Sequence, residues 1–405
     1  MSTAMNRTGR PGGLLTRGTN QAGGRLYNER LVLSLIRRHA SLPKADLARM
    51  TGLSPQTVST IVNQLEVDGL VRRLEPLRGR VGQPLVPYEL HPRGAFFLGL
   101  KVGRRSSDVV LLDFAGAVLG RIHEPHAYPT PQSIVALAKR GISGLAGGLP
   151  LAERARIAGF GIAAPFEMWN WENQFAAPAD VLEAWRVADI REEVAAISPW
   201  PVYFHNDGTA ACAAELVLGE GARHPDFLYI FIGSFIGGGV VLNGHLFPGR
   251  TGYGGAIGPL PVPTPNGGFQ QILKTASIYV LAEKLVATGA DPLVLWRDPD
   301  AWGDLGAPLG EWIEESARAL AQAIVTAVSI IDFGTIILDG AFPLPVRARL
   351  AERTRELIAG FDLQGLAGFS LIEGTLGSRA REIGGACLPL LANFTQDREV
   401  LFKDA

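Results

Sequence analysis

The stretch TGLSPQTVSTIVNQL, residues 51–65, decides how the chain begins. A helix stops at Thr51-Gly52, Leu53 plugs the turn, Ser54 is a ready N-cap and Pro55 suits a first helical position. Val58, Ile61, Val62 and Leu65 then recur at i, i+3, i+4 and i+7, which predicts a helix with one core-facing stripe. Gln56, Thr57, Ser59, Thr60 and Asn63 are left over as a short, polar, uncharged face at the helix start. Upstream, Leu31, Val32, Leu35 and Ile36 mark a helix from near Asn28. Pro43-Lys44 open a second helix carrying Ala45, Leu47, Ala48 and Met50. Downstream, Gly69 closes the third helix, Leu70–Leu74 reads as a strand, Arg78–Pro84 as a tight basic turn, and Leu85–Leu90 as a second strand.

Two helices joined by a short Gly-containing turn, the second exposing hydrogen-bonding groups near its start, form a helix-turn-helix pattern, and the hairpin after it is a wing. Amides and hydroxyls can read base edges while cations hold phosphates. The expected DNA contacts are therefore Lys44, Ser54, Gln56, Thr57, Ser59, Thr60, Asn63, Arg72, Arg73 and, at the wing tip, Arg80. A winged helix used for protein contacts is the other reading. Charge decides between them. Residues 1–93 hold 14 Lys and Arg against 6 Asp and Glu, a net of +8, whereas the remaining 312 residues carry −9. A basic module for a polyanion on an acidic body is the simplest account.

The rest of the composition sets limits. At 405 residues, 47% hydrophobic and 19% charged, the chain has material for two or three packed domains. Its longest apolar run, Ala319–Ile331, falls short of the ~20 residues a membrane span needs and reads as a buried helix feeding a strand. The basic first thirty residues lack the apolar segment of a secretory signal. Cys212 and Cys387 give neither a disulfide framework nor a Cys-based metal cluster. The expectation is a cytoplasmic protein with no membrane partner, divided into a flexible basic arm (1–25), a winged helix-turn-helix (26–93) and a large body (94–405).

From Phe96 onward the texture is α/β. FFLGLKVGRRSSDVVLLDFAGAVLG gives paired strands and a hairpin. RIAGFGIAAP and VYFHNDGTAACAAELVLG are each a strand followed by a loop, the second running into an Ala-rich helix. FLYIFIGSFIGGGVVLNGHLFPG is another strand, Gly-rich turn and strand, and SIIDFGTIILDGAF gives a last strand after a long helix. Such alternation places ligands at loops following strand ends.

Taken in order, GTNQ (18–21), TGLSPQTVS (51–59), GRVGQP (79–84), GFGIAAP (159–165), HNDGTAACAAE (205–215) and IGGGVVLNGHLFPGRTGYGGAIG (236–258) make the chain resemble the ROK family of repressors and sugar kinases, and within it the sugar-responsive xylose, N-acetylglucosamine and glucose regulators. The resemblance implies a two-lobed, actin-like ATPase body behind the winged helix. It also implies double-stranded operator DNA as partner, a sugar or sugar-derivative effector, and a homodimer or homotetramer.

Departures from the family pattern matter as much. Where family kinases place an acidic residue in the first phosphate turn, Lys101 stands in Lys101-Val102-Gly103-Arg104-Arg105-Ser106. The second phosphate turn, Gly233–Gly239, has Phe235 where a glycine would let backbone approach phosphate. Asp339 replaces a glycine in the adenosine-side turn. The family's zinc-binding His and three Cys are missing: Pro259 stands for the His, and Pro265–Gln271 has no Cys. Ala256 replaces a Glu that accepts sugar hydroxyls in relatives, and Ala179 a common Asn. The resemblance thus implies a dead nucleotide cleft, no catalytic residue, no metal and no cofactor, and His123 and His126 read as surface residues. What survives is Asn206-Asp207 after a strand end. The carboxylate can accept hydroxyl hydrogen bonds, although capping a helix over Thr209–Leu218 would also explain it. Glu167, Trp169 and Asn170, in the aromatic loop after Pro165, are the other candidate ligand contacts. Their equal alternative is a lobe or subunit interface. A regulator whose effector cleft lacks catalysis is the reading adopted, ahead of a sugar kinase that kept a DNA-binding arm and of a DNA-binding protein whose body only oligomerises.

Overall fold

The computed structural model describes residues 21–76, 85–170, 177–264 and 266–396. At its amino-terminal end α1 (Gln21–His39), α2 (Lys44–Thr51) and α3 (Pro55–Val67) pack on a three-stranded sheet of β1 (Ser41–Pro43), β2 (Val71–Arg73) and β3 (Pro87–Leu90), in the order β1-β3-β2. Gly52 ends α2 with φ 69°, a left-handed conformation that a Cβ would strain. The Ser54 hydroxyl then accepts from the Thr57 amide at 3.1 Å and starts α3 as expected. Val58, Ile61, Val62 and Leu65 are all buried. At roughly 1.5–3 kcal/mol per buried aliphatic side chain, that stripe fixes α3 on the sheet.

Three local expectations are corrected. α1 starts at Gln21, inside the expected arm, because Gly23-Gly24 continue the helix and Gly23 is buried there. A helical glycine costs only about 1 kcal/mol against alanine, which packing can offset. The expected hairpin strands shorten to Val71–Arg73 and Pro87–Leu90, and β1 was not foreseen; it forms because the free edge of β3 accepts it, Leu42 opposite Tyr88. The basic turn with Arg80 lies outside the described residues.

The body contains two five-stranded sheets of the same plan. β4 (Phe96–Val102), β5 (Ser106–Asp113), β6 (Val118–Pro125), β7 (Ile157–Ala163) and β8 (Val202–His205) form the first, ordered β6-β5-β4-β7-β8. The second is β11-β10-β9-β14-β15, made by β9 (Phe227–Ile232), β10 (Ile236–Leu242), β11 (His245–Leu246), β14 (Thr335–Gly340) and β15 (Ser370–Glu373), with β12 (Pro261–Pro263) and β13 (Phe269–Gln271) paired apart. Each sheet opens with an antiparallel meander and closes with two parallel strands. This repeat is the two-lobed α/β architecture of actin-like ATPases. β15 corrects the expectation that β14 is the last strand: of its four residues only Leu371 is buried, too little pattern to read.

Two helices cross between the lobes, Asp207–Leu218 and the carboxy-terminal helix Ala380–Phe394. Their close approach requires Gly384, since a Cβ there would strike the Ala210 carbonyl. The amino-terminal head is seated on the first lobe and on this carboxy-terminal helix. One hydrophobic cluster runs from Val32, Ile36 and Leu65 through Phe97 and Phe114 to Ala386 and Leu390. The Phe114 ring lies 4.8 Å from that of Phe394 and 5.1 Å from the Arg37 guanidinium. Arg156 donates to the carbonyls of Asp68 and Gly94 at 3.0 and 3.1 Å, bracketing the joint. Among the described residues no helix is long and apolar enough to cross a membrane.

Candidate functional site

The first candidate surface is the start of α3. Gln56, Thr57, Thr60 and Asn63 are exposed and Ser59 is half-buried. Ser54 is exposed but its hydroxyl is engaged in the cap and lies 2.8 Å from the Thr57 hydroxyl, so its first task is to hold the helix. Thr60 returns its hydroxyl to the Gln56 carbonyl at 3.0 Å. Lys44, from α2, donates to the side-chain Oδ1 of Asn63 at 2.6 Å and to the Ser59 hydroxyl at 3.4 Å, and sits 5.2 Å from the Tyr88 ring. An ammonium only donates, so Asn63 turns its amide hydrogens away from Lys44. Arg72 and Arg73 are exposed on β2 but already paired, with Glu89 at 2.6 Å and Glu66 at 2.7 Å. The sequence showed the cations and could not show these partners.

The second candidate lies between the lobes, where the turn after β4 faces the turn after β9. Lys101 is buried and donates to Asp108 at 2.9 Å and to Ser106 at 3.2 Å. Burial and the nearby Arg381 push its ammonium below the usual range, although Asp108 opposes them. Asp108, fully buried, also holds Arg121 at 2.8 Å and His123 at 2.5 Å. Burial raises the Asp108 carboxyl, but Lys101, His123 and Arg121 together hold it below its ordinary value. His126 bonds Ser107 at 2.9 Å and burial lowers it to about 4. His123 is exposed, as expected of a surface residue, while its ring reaches Asp108; His126 is half-buried on Ser107, which corrects its reading as a surface residue.

Asn206 caps the helix that follows β8, its side chain accepting from the Gly208 amide at 3.0 Å. The helix thus starts at Asp207, and Asp207 is not its cap, contrary to the alternative weighed above. One Asp207 oxygen accepts from the Gly208 amide at 3.1 Å; the other accepts from Arg381 at 3.2 Å. Arg381 comes from the first turn of the carboxy-terminal helix and lies over the Phe231 ring at 5.0 Å. A Cβ placed on Gly233 of the second turn would be 3.5 Å from the Arg381 guanidinium carbon, so Arg381 rests on that turn. From the first turn, Arg104 stacks its guanidinium 3.3 Å from the centre of the Phe235 ring. Burial lowers Arg104 well below the usual arginine range, while the Asp207 carboxylate works against that. Arg105 lies 5.0 Å from the Trp296 ring, beside a cavity of about 370 Å³ also lined by Phe235, Tyr279 and Leu293. Sequence reasoning missed Arg381 altogether and took Arg104 only as a lost acidic turn.

Loop residues 166–170 form one rim. Phe166 stacks on Phe204 of β8 at 5.7 Å and meets Tyr253 edge-on at 5.0 Å. Glu167 accepts from the Tyr253 hydroxyl at 3.1 Å and from Asn170 at 2.9 Å, and Trp169 is half-buried beside them. Glu167 and Asn170 are exposed; Glu167 is engaged with the opposite loop through Tyr253, and Asn170 with Glu167 itself. Near the end of β14 in the second sheet Asp339, fully buried, pairs with Arg347 at 3.0 Å and accepts from Tyr229 at 3.0 Å and the Gly377 amide at 3.1 Å. Glu215 is buried nearby, and burial together with Asp339 raises its carboxyl to about 7. Among the described residues no group of three or more His, Cys, Asp or Glu is placed to hold a metal ion.

This combination defines a class: a winged helix-turn-helix seated on a two-lobed, actin-like body. Residues 97–270 match the ROK family profile and residues 25–72 that of winged helix-turn-helix DNA-binding domains. Among known proteins it is 27% identical over 380 residues to an uncharacterized protein of Sinorhizobium fredii, covering 91% of each chain. It is 26% identical to the xylose repressor of Bacillus spizizenii, over 58% of this chain and 60% of that protein. The fold is shared with the crystal structure of a ROK family transcriptional regulator described as a homolog of the Escherichia coli MLC protein, with a TM-score of 0.63 and 19% identity over 92% of this chain and 97% of that one.

Proposed function

We propose that the chain is a sequence-specific DNA-binding repressor, controlled by a small sugar-like effector bound between the lobes, and that its body does not phosphorylate sugars. The observation that carries this is the exposed polar start of α3 on a head packed directly against the carboxy-terminal helix, whose other end reaches the cleft. Gln56, Thr57 and Asn63 face solvent where a recognition helix presents groups to a major groove. Lys44, Arg72 and Arg73 would serve phosphates, the two arginines after leaving their carboxylate partners. The likeness to a xylose repressor supports the same reading. Its partner is double-stranded operator DNA, met as a homodimer or homotetramer because paired half-sites call for a two-fold protein. Its setting is the cytoplasm. Asn206 and Asp207 form the effector floor and Glu167, Trp169 and Asn170 its rim.

Against phosphoryl transfer stand the Lys101–Asp108 pair in the first turn, the Arg104–Phe235 stack over the second, and Asp339 bonded inside the third. Transfer needs metal-bound phosphates aligned with a hydroxyl, and these turns spend their space on side chains. The test has two arms. Gln56→Ala should weaken operator binding by about 1–3 kcal/mol in a gel-shift titration and leave random DNA unchanged. Purified protein with ATP should yield no sugar phosphate from hexoses, pentoses or amino sugars. Operator binding indifferent to Gln56→Ala, or turnover at ordinary kinase rates, would sink the corresponding half.

A further inference from the structure

Along α3, Gln56, Thr60 and Asn63 are spaced four and three residues apart, so they stand on one exposed stripe of the helix. Gln56 and Asn63 are roughly 10 Å apart along the axis, which matches about three base pairs of duplex. The two carboxamides differ in what they can offer a base. Thr60 uses the backbone carbonyl of Gln56, and no described residue bonds the Gln56 side chain, so that amide keeps both a donor and an acceptor. Asn63 lacks this freedom. The Lys44 ammonium donates to its Oδ1 at 2.6 Å and to the Ser59 hydroxyl at 3.4 Å. Lys44 is held in turn 5.2 Å from the ring of Tyr88, which is buried on β3. An ammonium has three donors and no acceptor, so it fixes which way the amide faces. Oxygen points to Lys44, and the two Nδ2 hydrogens are left for solvent.

We infer that Lys44 is a specificity-determining residue of the recognition helix: by holding the Asn63 oxygen, it makes Asn63 a donor-only reader that takes guanine, through N7 and O6, instead of adenine. This rests on the repressor reading above and names a base in its operator. A free carboxamide reads adenine by donating to N7 and accepting from N6, which needs its oxygen at the base edge. With that oxygen turned inward, the N6 hydrogens of adenine would face the hydrogens of Asn63. Guanine presents two acceptors side by side in the major groove and suits two outward hydrogens; thymine has one acceptor beside a methyl group, and cytosine a donor. Gln56, unrestrained, keeps the adenine preference, so each half-site carries an adenine and a guanine about three base pairs apart. The third Lys44 hydrogen remains for a phosphate, in keeping with its role above.

The full chain would select sites from a random-sequence double-stranded DNA library, and the selected site would be remade with each of the four pairs at every position. Wild type should prefer G over A about tenfold or more at the pair whose preference is lost in Asn63→Ala. Lys44→Met keeps the stem on Tyr88 and removes the ammonium. It should bring that ratio below about threefold or reverse it toward adenine, with the preference at the Gln56 pair unchanged. Lys44→Ala should do the same, whereas Lys44→Arg, which also only donates, should keep G over A. Each ratio compares two duplexes on one protein, so a lost phosphate contact or a loss of folded material cancels. Equal weakening of every duplex by Lys44→Met, with the ratio intact, overturns the inference and makes Lys44 a phosphate contact alone. Adenine at the Asn63 pair in wild type overturns it too, as does an Asn63→Ala protein with unaltered base preferences. These three outcomes leave the repressor reading standing. A chain that selects no sequence overturns that reading, and this inference with it.

Discussion

The head and the inter-lobe cleft both collect arginine and lysine, and they treat them in opposite ways. On the head, Arg72 and Arg73 stand in solvent with Glu89 and Glu66 at hand. Exposed pairs of this kind contribute about 0–1 kcal/mol and exchange partners readily, which is what a phosphate-binding surface requires. In the cleft, Lys101 and Arg381 are largely removed from water and Arg104 is stacked on an aromatic ring. Their partners are set by the fold, since breaking a buried pair leaves a charge uncompensated. Net charge therefore picks out the exposed cations of the head and overlooks the buried, partnered cations of the cleft.

Three measurements press on this contrast. The largest effect should come where the two regions are joined. Phe114 is fully buried against Phe97, Phe394 and Arg37. Phe114→Ala should cost about 3–5 kcal/mol of stability in denaturant unfolding and weaken operator binding far from any DNA contact. If unfolding stays unchanged, head and body are not one packed unit.

The second effect belongs to the buried carboxylates. Glu215 titrates near 7 in the folded chain against 4.5 for the ordinary carboxyl. Between those values the folded state holds the extra proton, so this group makes stability fall as pH rises from about 4.5 to 7. Glu215→Gln, which keeps an acceptor for the Glu220 amide, should flatten that slope and raise Tm at pH 8 by a few degrees relative to wild type. A wild-type Tm that climbs through this window with a slope the substitution leaves unchanged would contradict it.

The smallest effect is on the head. Glu66→Ala frees Arg73 and should tighten binding to random DNA two- to fivefold, steepening its salt dependence by about one unit. No change would mean that Arg73 does not reach phosphate.

The legible part of the molecule was local. Ser54-Pro55 with the stripe Val58, Ile61, Val62 and Leu65 announces α3 because caps and periodicity act within a few residues, and the strands of the body are continuous apolar runs. β1 and β15 escaped notice because each exists only through its neighbour in the sheet, Leu42 beside Tyr88 and Leu371 beside Ile336. The start of α1 was misplaced because Gly23-Gly24 suggests a break that packing overrides. In the cleft, Asn206-Asp207 could be picked out from the strand that precedes them. Arg381 could not, for it meets Asp207 across 174 residues of chain. The doublet Arg104-Arg105 was in plain view, and its meaning depended on Phe235 and Trp296, which no spacing rule connects to it.

The joint at Phe114 also bears on how such a head could be exchanged between proteins. A reader domain on a loose tether is an interchangeable part, free to be cut out and fused to another sensor. Here α1 and α3 share one apolar interior with the first lobe and the last helix, and Tyr27 and Ser34 of α1 are bonded to Gln396. A transplanted head would leave that interior open on both sides of the cut. Inheritance of this reader with its body, as one piece, is what the packing enforces.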